Sequence, residues 1–414
     1  MVLYWLFIHF MWLFWVINIV LWLILFFFNV LDINVVSQYF LLDSIGIYLS
    51  FLSIFFLGIF LFIFYSELNF LNILAISLSI FFSMLCFLSI NSLIFWICYE
   101  LAILFALILI LYSSPYSERF LASWYLVIYV FIGSLPMLFL ISYLSLENET
   151  WNILLWELSN NGNLVLYLLA ILFCTKIPLP PFHSWLPVVH AEASSYVSII
   201  LSGYIMKLGL IGLFRFCYHF LNNWGVLLLI LFSFSLLFFF ASGQELDIKR
   251  WLAFLSLGHI LIGLLGLFYF QFNDYWIVGL YCFGHGLSAF LLFYLFMVLN
   301  SMVGSRNWLI ISLNNNLNNF YYVLVALALL TVSSFPPTIS FFSEIYLFQS
   351  LFVSYASILL YTFYIFIGGI VPVIVLSLFL VNAKLHSVSN VNNYGNLIVM
   401  FSLCFLCFFC IFWV

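Results

Sequence analysis

Charged residues are scarce in this sequence. Asp, Glu, Lys and Arg make up 5% of its 414 residues, and Lys and Arg together number 8. So few cations cannot form a basic patch, which excludes nucleic-acid binding. The sequence also lacks a Gly-rich dinucleotide loop, a Walker motif, a metal-ligand array and a nucleophile elbow, which argues against the common enzyme classes.

Cysteine is infrequent as well, and its 8 residues are scattered except for Cys404, Cys407 and Cys410. These three recur at i, i+3 and i+6 in an apolar terminal run. An iron–sulfur cluster would normally need a fourth thiolate and polar surroundings. The spacing therefore favours small apolar side chains on one helix face over a metal site.

Hydrophobic residues, in contrast, make up 68% of the chain, and the mean hydropathy is +1.31. This composition predicts an all-α, polytopic membrane protein. The first apolar run has no signal-peptide features, so we expect it to be a retained span. The 54 Phe residues indicate a T-rich genome and hence an organellar gene.

Apolar runs of membrane-spanning length predict about 13 transmembrane helices. They fall at 2–29, 44–65, 69–89, 92–112, 120–146, 163–190, 194–220, 225–243, 251–270, 275–299, 321–350, 354–382 and 395–413. Prolines interrupt two of these runs, 163–190 and 321–350. This predicts two broken helices in an inverted repeat of antiporter-like type. The resulting division is 1–90 for N-terminal helices, 91–220 and 225–382 for two half-channel repeats, and 383–414 for a C-terminal helix.

The loop charges predict an orientation, because positive residues collect on the side that is not translocated. Counting each broken run as one crossing, five positive loop residues all fall on one face: Arg119, Lys249, Arg250, Arg306 and Lys384. The other face receives Asp32, Asp43, Glu147, Glu149, Glu157 and Asp274. We therefore expect the N-terminus inside and the C-terminus outside.

Six titratable residues lie at or near mid-membrane depth on six different runs, where a charge costs about 2.5–3.5 kcal/mol to insert. They are Glu100, Lys176, Lys207, His259, His285 and Glu344. Glu, Lys and His in a water-bearing cavity can pass protons. The alternatives are buried structural ion pairs and core histidines that donate a hydrogen bond to a neighbouring carbonyl.

Several stretches together resemble the antiporter-like proton-channel subunits of respiratory complex I. The most specific is "KIPLPPFHSWLPVVHAEAS" followed by "GYIMKLGLIGLFRF". The others, in chain order, are "YELAILFALILI", "SERFLASWYLVIYVFIGSLP", "DIKRWLAFLSLGHI", "HGLSAFLLF" and "FPPTISFFSEIYLF". These stretches cover most of residues 95–350.

The resemblance implies roles for the mid-membrane residues. Glu100 and Lys176 would form the pair of the first half-channel, Lys207 would be the central lysine, and Glu344 the terminal acid of the second half. His183, His259 and His285 would belong to the polar axis between them. The secondary candidates are His183, His190, Glu192 and Lys249. His190 and Glu192 could equally form a loop-stabilising pair.

The sequence departs from the family pattern in a few places. Val188 stands where Lys or Asp is common, and Ser194 stands where Pro is common. The family usually has 14 spans, and Glu100 lies in the fourth predicted span rather than the fifth. We therefore expect one N-terminal span to be missing.

The resemblance implies a core membrane-arm subunit of complex I in the mitochondrial inner membrane, which translocates protons as NADH reduces ubiquinone elsewhere. This chain would hold no cofactor, while NADH, FMN, iron–sulfur clusters and ubiquinone would bind partner subunits. Its partners would be other membrane-arm subunits, including sister antiporter-like chains, and lipid. Two competing interpretations are a subunit of a multi-subunit cation/proton antiporter and a non-conducting scaffold.

Overall fold

The computed structural model describes residues 35–64, 68–156, 162–221, 225–269, 275–313, 319–350, 355–382 and 394–409. These ranges are helical apart from turns, loops and one short hairpin, in which β1 (Val35–Val36) pairs antiparallel with β2 (Leu41–Leu42). The predicted all-α membrane fold is confirmed.

The α-helices are numbered in chain order within the described ranges. They are α1 (Ser44–Ile63), α2 (Phe70–Leu88), α3 (Ser92–Ser113), α4 (Arg119–Leu126), α5 (Ser134–Glu147), α6 (Gly162–Lys176), α7 (Trp185–Glu192), α8 (Ser195–Ile200), α9 (Met206–Leu221), α10 (Gly225–Gln244), α11 (Ile248–Tyr269), α12 (Tyr275–Val303), α13 (Trp308–Leu313), α14 (Asn319–Val332), α15 (Ile339–Ser350), α16 (Tyr355–Asn382) and α17 (Tyr394–Phe409). Every predicted run from 44–65 onward coincides with one or more of them. The run 2–29 lies outside the described residues, so the count of 13 and the missing N-terminal span stay predictions.

Two π-helical segments complete spans that would otherwise be interrupted. The first, Val127–Ile132, joins α4 to α5, and the second, Leu201–Ile205, joins α8 to α9. A π segment occurs mostly as a single inserted turn and is frequent at functional sites, because it changes which carbonyls are free to accept other donors.

The two predicted helix breaks are confirmed. Helix α6 ends at Lys176, and the chain then passes through a proline-rich turn and a short 3₁₀ turn before α7 begins. Helix α14 ends at Val332, and α15 begins at Ile339 after the Pro336–Pro337 turn. Proline has no N–H to donate and clashes with a preceding turn, which accounts for both interruptions. The inverted symmetry of the two halves stays a prediction.

The helices differ sharply in burial, and this places the core. In an 18-residue window of each span, the buried share of residues is 94% for Ser195–Cys217, 89% for Ile248–Tyr269 and 72% for Tyr275–Val303. The corresponding share is 29% for Arg119–Glu147 and 33% for Tyr355–Val381. All of these windows are apolar, so hydropathy alone does not separate inner from outer helices. The three inner spans carry Lys207, His259 and His285.

A close approach of α9 to the first helix break depends on Gly209. A Cβ atom at this position would lie 2.8 Å from Cγ1 of Ile177 and 3.2 Å from Cβ of Lys176. Side chains do not tolerate such short contacts without a shift of the neighbour. The absence of a side chain at Gly209 therefore lets the helix that carries Lys207 pack directly on the end of the helix that carries Lys176.

Candidate functional site

Lys207 lies at the start of α9, directly after the second π segment, and its side chain is fully buried. Its ammonium donates a hydrogen bond to the carbonyl oxygen of Ser202, which belongs to that π segment. The same Nζ lies 3.1 Å from Nδ1 of His285 on α12. A lysine ammonium has donors only, so His285 accepts with Nδ1 when Lys207 is charged, which requires a neutral imidazole with its proton on Nε2.

His285 is followed by a second buried histidine. The ring centroids of His285 and His259 are 5.6 Å apart, and His259 lies on α11. Nδ1 of His259 lies 2.5 Å from the hydroxyl oxygen of Tyr364 on α16. The hydroxyl of Tyr281 donates to the backbone carbonyl of His259 at 2.9 Å, which ties α12 to α11 at this level. We call Lys207, His285, His259 and Tyr364 the central row.

Glu344 lies next to the Tyr364 end of the central row. Its carboxylate is buried on α15 and accepts a hydrogen bond from the hydroxyl of Ser334 at 2.8 Å. Ser334 lies within the second helix break, just before its proline pair, and has a positive φ of 51°, so the break itself presents this donor. Tyr361 donates to the backbone carbonyl of Glu344 at 2.9 Å, and its ring stacks on that of Tyr364 with centroids 5.8 Å apart.

Lys176 and Glu100 form the first-half site. The ammonium of Lys176 donates to the carbonyl of Val130, in the first π segment, and lies 5.3 Å from the ring centroid of Tyr99. Glu100 is buried on α3, with Lys176 and the Ser134 hydroxyl as electrostatic neighbours. The ammonium and the carboxylate do not meet as a direct ion pair in the described part of the chain. The residues predicted as a pair are thus neighbours without direct contact.

The two lysines share one local arrangement that the sequence did not reveal. Each donates to a backbone carbonyl of a π segment: Lys176 to Val130, and Lys207 to Ser202. A buried ammonium needs acceptors because it is removed from bulk water, and a backbone carbonyl supplies one without a counter-charge. Each lysine is therefore held in the interior by a dipole rather than by a fixed carboxylate partner.

A cluster of cations caps the second half of the first broken helix. Lys249 donates to the carbonyl of Ala193 at 2.6 Å, and Arg306 donates to the carbonyl of Ala191 at 2.8 Å. Both carbonyls lie at the C-terminal end of α7, where positive charge is favourable. The ring of Tyr116 lies 4.7 Å from the Lys249 ammonium and 4.3 Å from the Arg306 guanidinium carbon. We call Tyr116, Lys249 and Arg306 the capping cluster.

Tyr116 lies in the loop between α3 and α4, and no motif in the sequence indicates a role for it. Burial raises the pKa of its phenol above the ordinary value, while the positive charge of Arg306 opposes that shift. The phenol therefore stays protonated at neutral pH. Its hydroxyl lies 3.4 Å from the Lys249 ammonium.

His190 and Glu192 do not form the alternative loop-stabilising pair, so that interpretation is wrong. The His190 ring is fully buried and stacks on Phe293 at 5.3 Å, with no hydrogen bond to either ring nitrogen in the described residues. The backbone carbonyl of Glu192 accepts from the Ser114 hydroxyl instead. The His190 ring faces the protein interior and is held there by aromatic packing, whereas Glu192 lies at the end of α7.

His183 lies apart from the central row. Its ring packs on Phe238 of α10 at 4.9 Å, and no described hydrogen bond joins it to the row. The structure thus brings together Lys207, His285 and His259 from the predicted set, with Glu344 adjacent. Lys249 belongs to the capping cluster. Sequence reasoning missed Tyr364, Tyr281, Ser334 and Tyr116, which carry no distinguishing pattern in a chain with 25 Tyr.

In the ranges that the structure describes, no group of three or more His, Cys, Asp and Glu residues is placed to hold a metal ion. Cys404 and Cys407 are buried on α17, and Cys410 lies outside the described residues.

A family profile described as "NADH:quinone oxidoreductase/Mrp antiporter, TM" matches residues 89–370, which include every candidate residue named above. The chain belongs to this family. The match runs from just before α3, which carries Glu100, into α16, which carries Tyr364.

Curated relatives agree with the sequence resemblance. The protein named NADH-ubiquinone oxidoreductase chain 4 of Rhipicephalus sanguineus is 32% identical over 259 residues, which cover 59% of this chain and 57% of that one. The protein of the same name from Apis mellifera ligustica is also 32% identical, over 267 residues with the same coverage. The chain thus spans 57% of the length of these relatives.

Solved structures show the same fold. A chain of respiratory complex I from Thermus thermophilus with bound NADH aligns with a TM-score of 0.76 and 20% identity, covering 89% of this chain and 82% of that one. A chain of the Mrp complex from Dietzia sp. DQ12-45-1b aligns with a TM-score of 0.72 and 16% identity, covering 91% and 77%. The chain is therefore a multi-pass membrane protein with the fold shared by these two complexes.

Proposed function

We propose that this chain is a core membrane-arm subunit of respiratory complex I, which translocates protons across the mitochondrial inner membrane. Electron transfer from NADH to ubiquinone, carried out in other subunits, drives the translocation. The observation that carries the proposal is the central row. Its four titratable side chains come from four different helices, α9, α12, α11 and α16, and contact one another in succession.

The chemistry of the central row suits proton transfer. Imidazole and phenol each carry both a donor and an acceptor function, so a proton can arrive at one atom while another leaves. Lys207 can donate its proton to Nδ1 of His285 at 3.1 Å. Glu344 and the Lys176–Glu100 site lie beyond the two ends of the row and provide groups that can hold or release charge. We infer roles for Glu100, Lys176, Lys207, His259, His285 and Glu344 on this basis.

Partners and cofactors follow from the same proposal. The chain would pack against other membrane-arm subunits, including sister antiporter-like chains, and against lipid. NADH, FMN, iron–sulfur clusters and ubiquinone would bind partner subunits, and this chain would hold none of them. The less buried helices expose large apolar side chains such as Phe139 and Leu146, which would suit both kinds of neighbour. The two half-channels would comprise 91–220 and 225–382.

A second candidate is a subunit of a multi-subunit cation/proton antiporter, because the fold also matches a chain of an Mrp complex. The two functions differ in their driving force. Purified assemblies reconstituted in vesicles should acidify or alkalinise the lumen on addition of NADH and a quinone if the chain serves complex I. Transport driven by a sodium or potassium gradient alone, with no response to NADH, would favour the antiporter.

A non-conducting scaffold is tested by Lys207→Ala and Glu100→Ala. Proton translocation requires that each variant complex assembles and loses pumping, because each change removes a titratable group from the interior. The control is Arg250→Ala, which removes an exposed charge from the same chain. Normal pumping in both interior variants would refute the proposal.

A further inference from the structure

In the described part of the chain, the Tyr364 hydroxyl is the one hydrogen-bond partner of the His259 ring. It lies 2.5 Å from Nδ1, while Nε2 of the same ring has no hydrogen-bond partner there. Tyr364 is 1% exposed, so the hydroxyl has no access to bulk water. The neighbours of this hydroxyl include the Tyr281 hydroxyl and the carboxylate of Glu344. Tyr364 thus contacts the second histidine directly and stacks on Tyr361, whose hydroxyl donates to the backbone carbonyl of the buried acid.

We propose that Tyr364 is a proton-transfer residue, which links His259 to Glu344 in the second half of the path. The imidazolium form of His259 gives its Nδ1 proton to the hydroxyl oxygen of Tyr364, and the original O–H bond of Tyr364 breaks as the hydroxyl's own proton moves toward the carboxylate of Glu344. The phenol ends neutral, the imidazole has lost one proton, and the carboxylate side has gained one. Rotation about the C–O bond then returns the hydroxyl to its starting orientation. This inference rests on the proposed function.

Two neighbouring tyrosines do not share this position. The hydroxyl of Tyr361 donates to the backbone carbonyl of Glu344, and that of Tyr281 donates to the backbone carbonyl of His259, each at 2.9 Å. An amide carbonyl accepts a hydrogen bond but does not take up and pass on a proton under these conditions. Tyr361 and Tyr281 therefore hold the backbone of the two titratable residues, whereas Tyr364 contacts a titratable atom. Tyr361 is the matched control, because it lies on the same helix with equal burial.

The test compares Tyr364→Phe, Tyr364→Gln and Tyr361→Phe in the assembled complex. Phenylalanine keeps the ring and removes the hydroxyl. Glutamine keeps a hydrogen bond to His259, but its amide is a poor proton carrier. We expect both Tyr364 variants to lose as much NADH-driven proton uptake as Lys207→Ala, and Tyr361→Phe to keep it. Normal uptake in Tyr364→Phe would overturn the inference, and so would recovery in Tyr364→Gln, which would make Tyr364 a positioning residue.

A second measurement applies even where these variants fail to assemble. Incorporation of 3,5-difluorotyrosine at position 364 alone changes the shape of the side chain little and makes the phenol more acidic. A proton-transfer role predicts that the pH profile of proton uptake moves to lower pH, whereas the same replacement at position 361 leaves it unchanged. An unchanged profile at position 364 would overturn the inference. Normal uptake in Lys207→Ala would instead refute the proposed function itself.

Discussion

Replacement of Lys207 by methionine separates the function of this side chain from its contribution to stability. Methionine has nearly the same length and an unbranched, apolar chain, so it fills the space without creating a large cavity. The change removes the hydrogen bond to the Ser202 carbonyl and the contact with Nδ1 of His285. It also removes a cation from the most buried span of the described chain.

The two effects on the free energy of unfolding oppose each other. Hydrogen bonds to charged groups contribute about 1.5–3 kcal/mol each, so two of them give about 3–6 kcal/mol. Removing a charge from mid-membrane depth recovers about 2.5–3.5 kcal/mol. The net destabilisation is therefore about −0.5 to 3.5 kcal/mol, which is small enough for the complex to assemble. Proton translocation, in contrast, should be lost, because methionine carries no proton.

The assay measures both properties in one preparation. Native gel electrophoresis reports the amount of assembled complex, and vesicles that contain the purified complex report NADH-driven proton uptake with a pH-sensitive dye. Arg250→Met is the matched control, since Arg250 is an exposed cation at the start of α11. We expect Lys207→Met to assemble and not to pump, and Arg250→Met to do both. Normal pumping by Lys207→Met would refute the reasoning, as would a loss of pumping matched by an equal loss of assembly.

Three further predictions concern other positions. Glu344→Gln should assemble and lose proton uptake in the same vesicles, because the amide oxygen still accepts from the serine at the second break but releases no proton; uptake at the native rate would contradict this. Gly209→Ala should destabilise the complex by about 1–3 kcal/mol through overpacking. The control Gly243→Ala should not, because nothing lies within 4 Å of the new methyl group. Thermal unfolding in detergent measures both. Tyr116→Leu should lower the thermal stability by about 1–2 kcal/mol through loss of two cation–π contacts, while Tyr116→Phe retains them; equal losses in both variants would count against the capping cluster.

The sequence predicted the helices and both breaks because these depend on local signals. Apolar runs of membrane-spanning length define the spans, and proline pairs define the interruptions. The titratable residues were also evident, since a charge stands out in a chain with 5% charged residues. Lys207, His259 and His285 indeed lie on the three most buried spans among the candidates described.

The contacts between these residues could not be predicted, for three physical reasons. A π segment arises from one extra residue in a helical turn and has no reliable sequence pattern, so the carbonyls that bind Lys176 and Lys207 were not foreseen. Tyr364 is one of 25 tyrosines, and its partner lies 105 positions away in sequence. The capping cluster likewise unites residues from the α3–α4 loop, the start of α11 and the α12–α13 loop, whose proximity depends on the packed fold.

The central claim is that titratable side chains from separate helices join into a hydrated path through the interior. A cryo-electron microscopy map of the assembled complex, at a resolution that shows ordered water, tests this most directly. We predict ordered water between the ammonium groups of Lys176 and Lys207, and between Tyr364 and the carboxylate of Glu344. Dry apolar packing in both intervals would contradict the account.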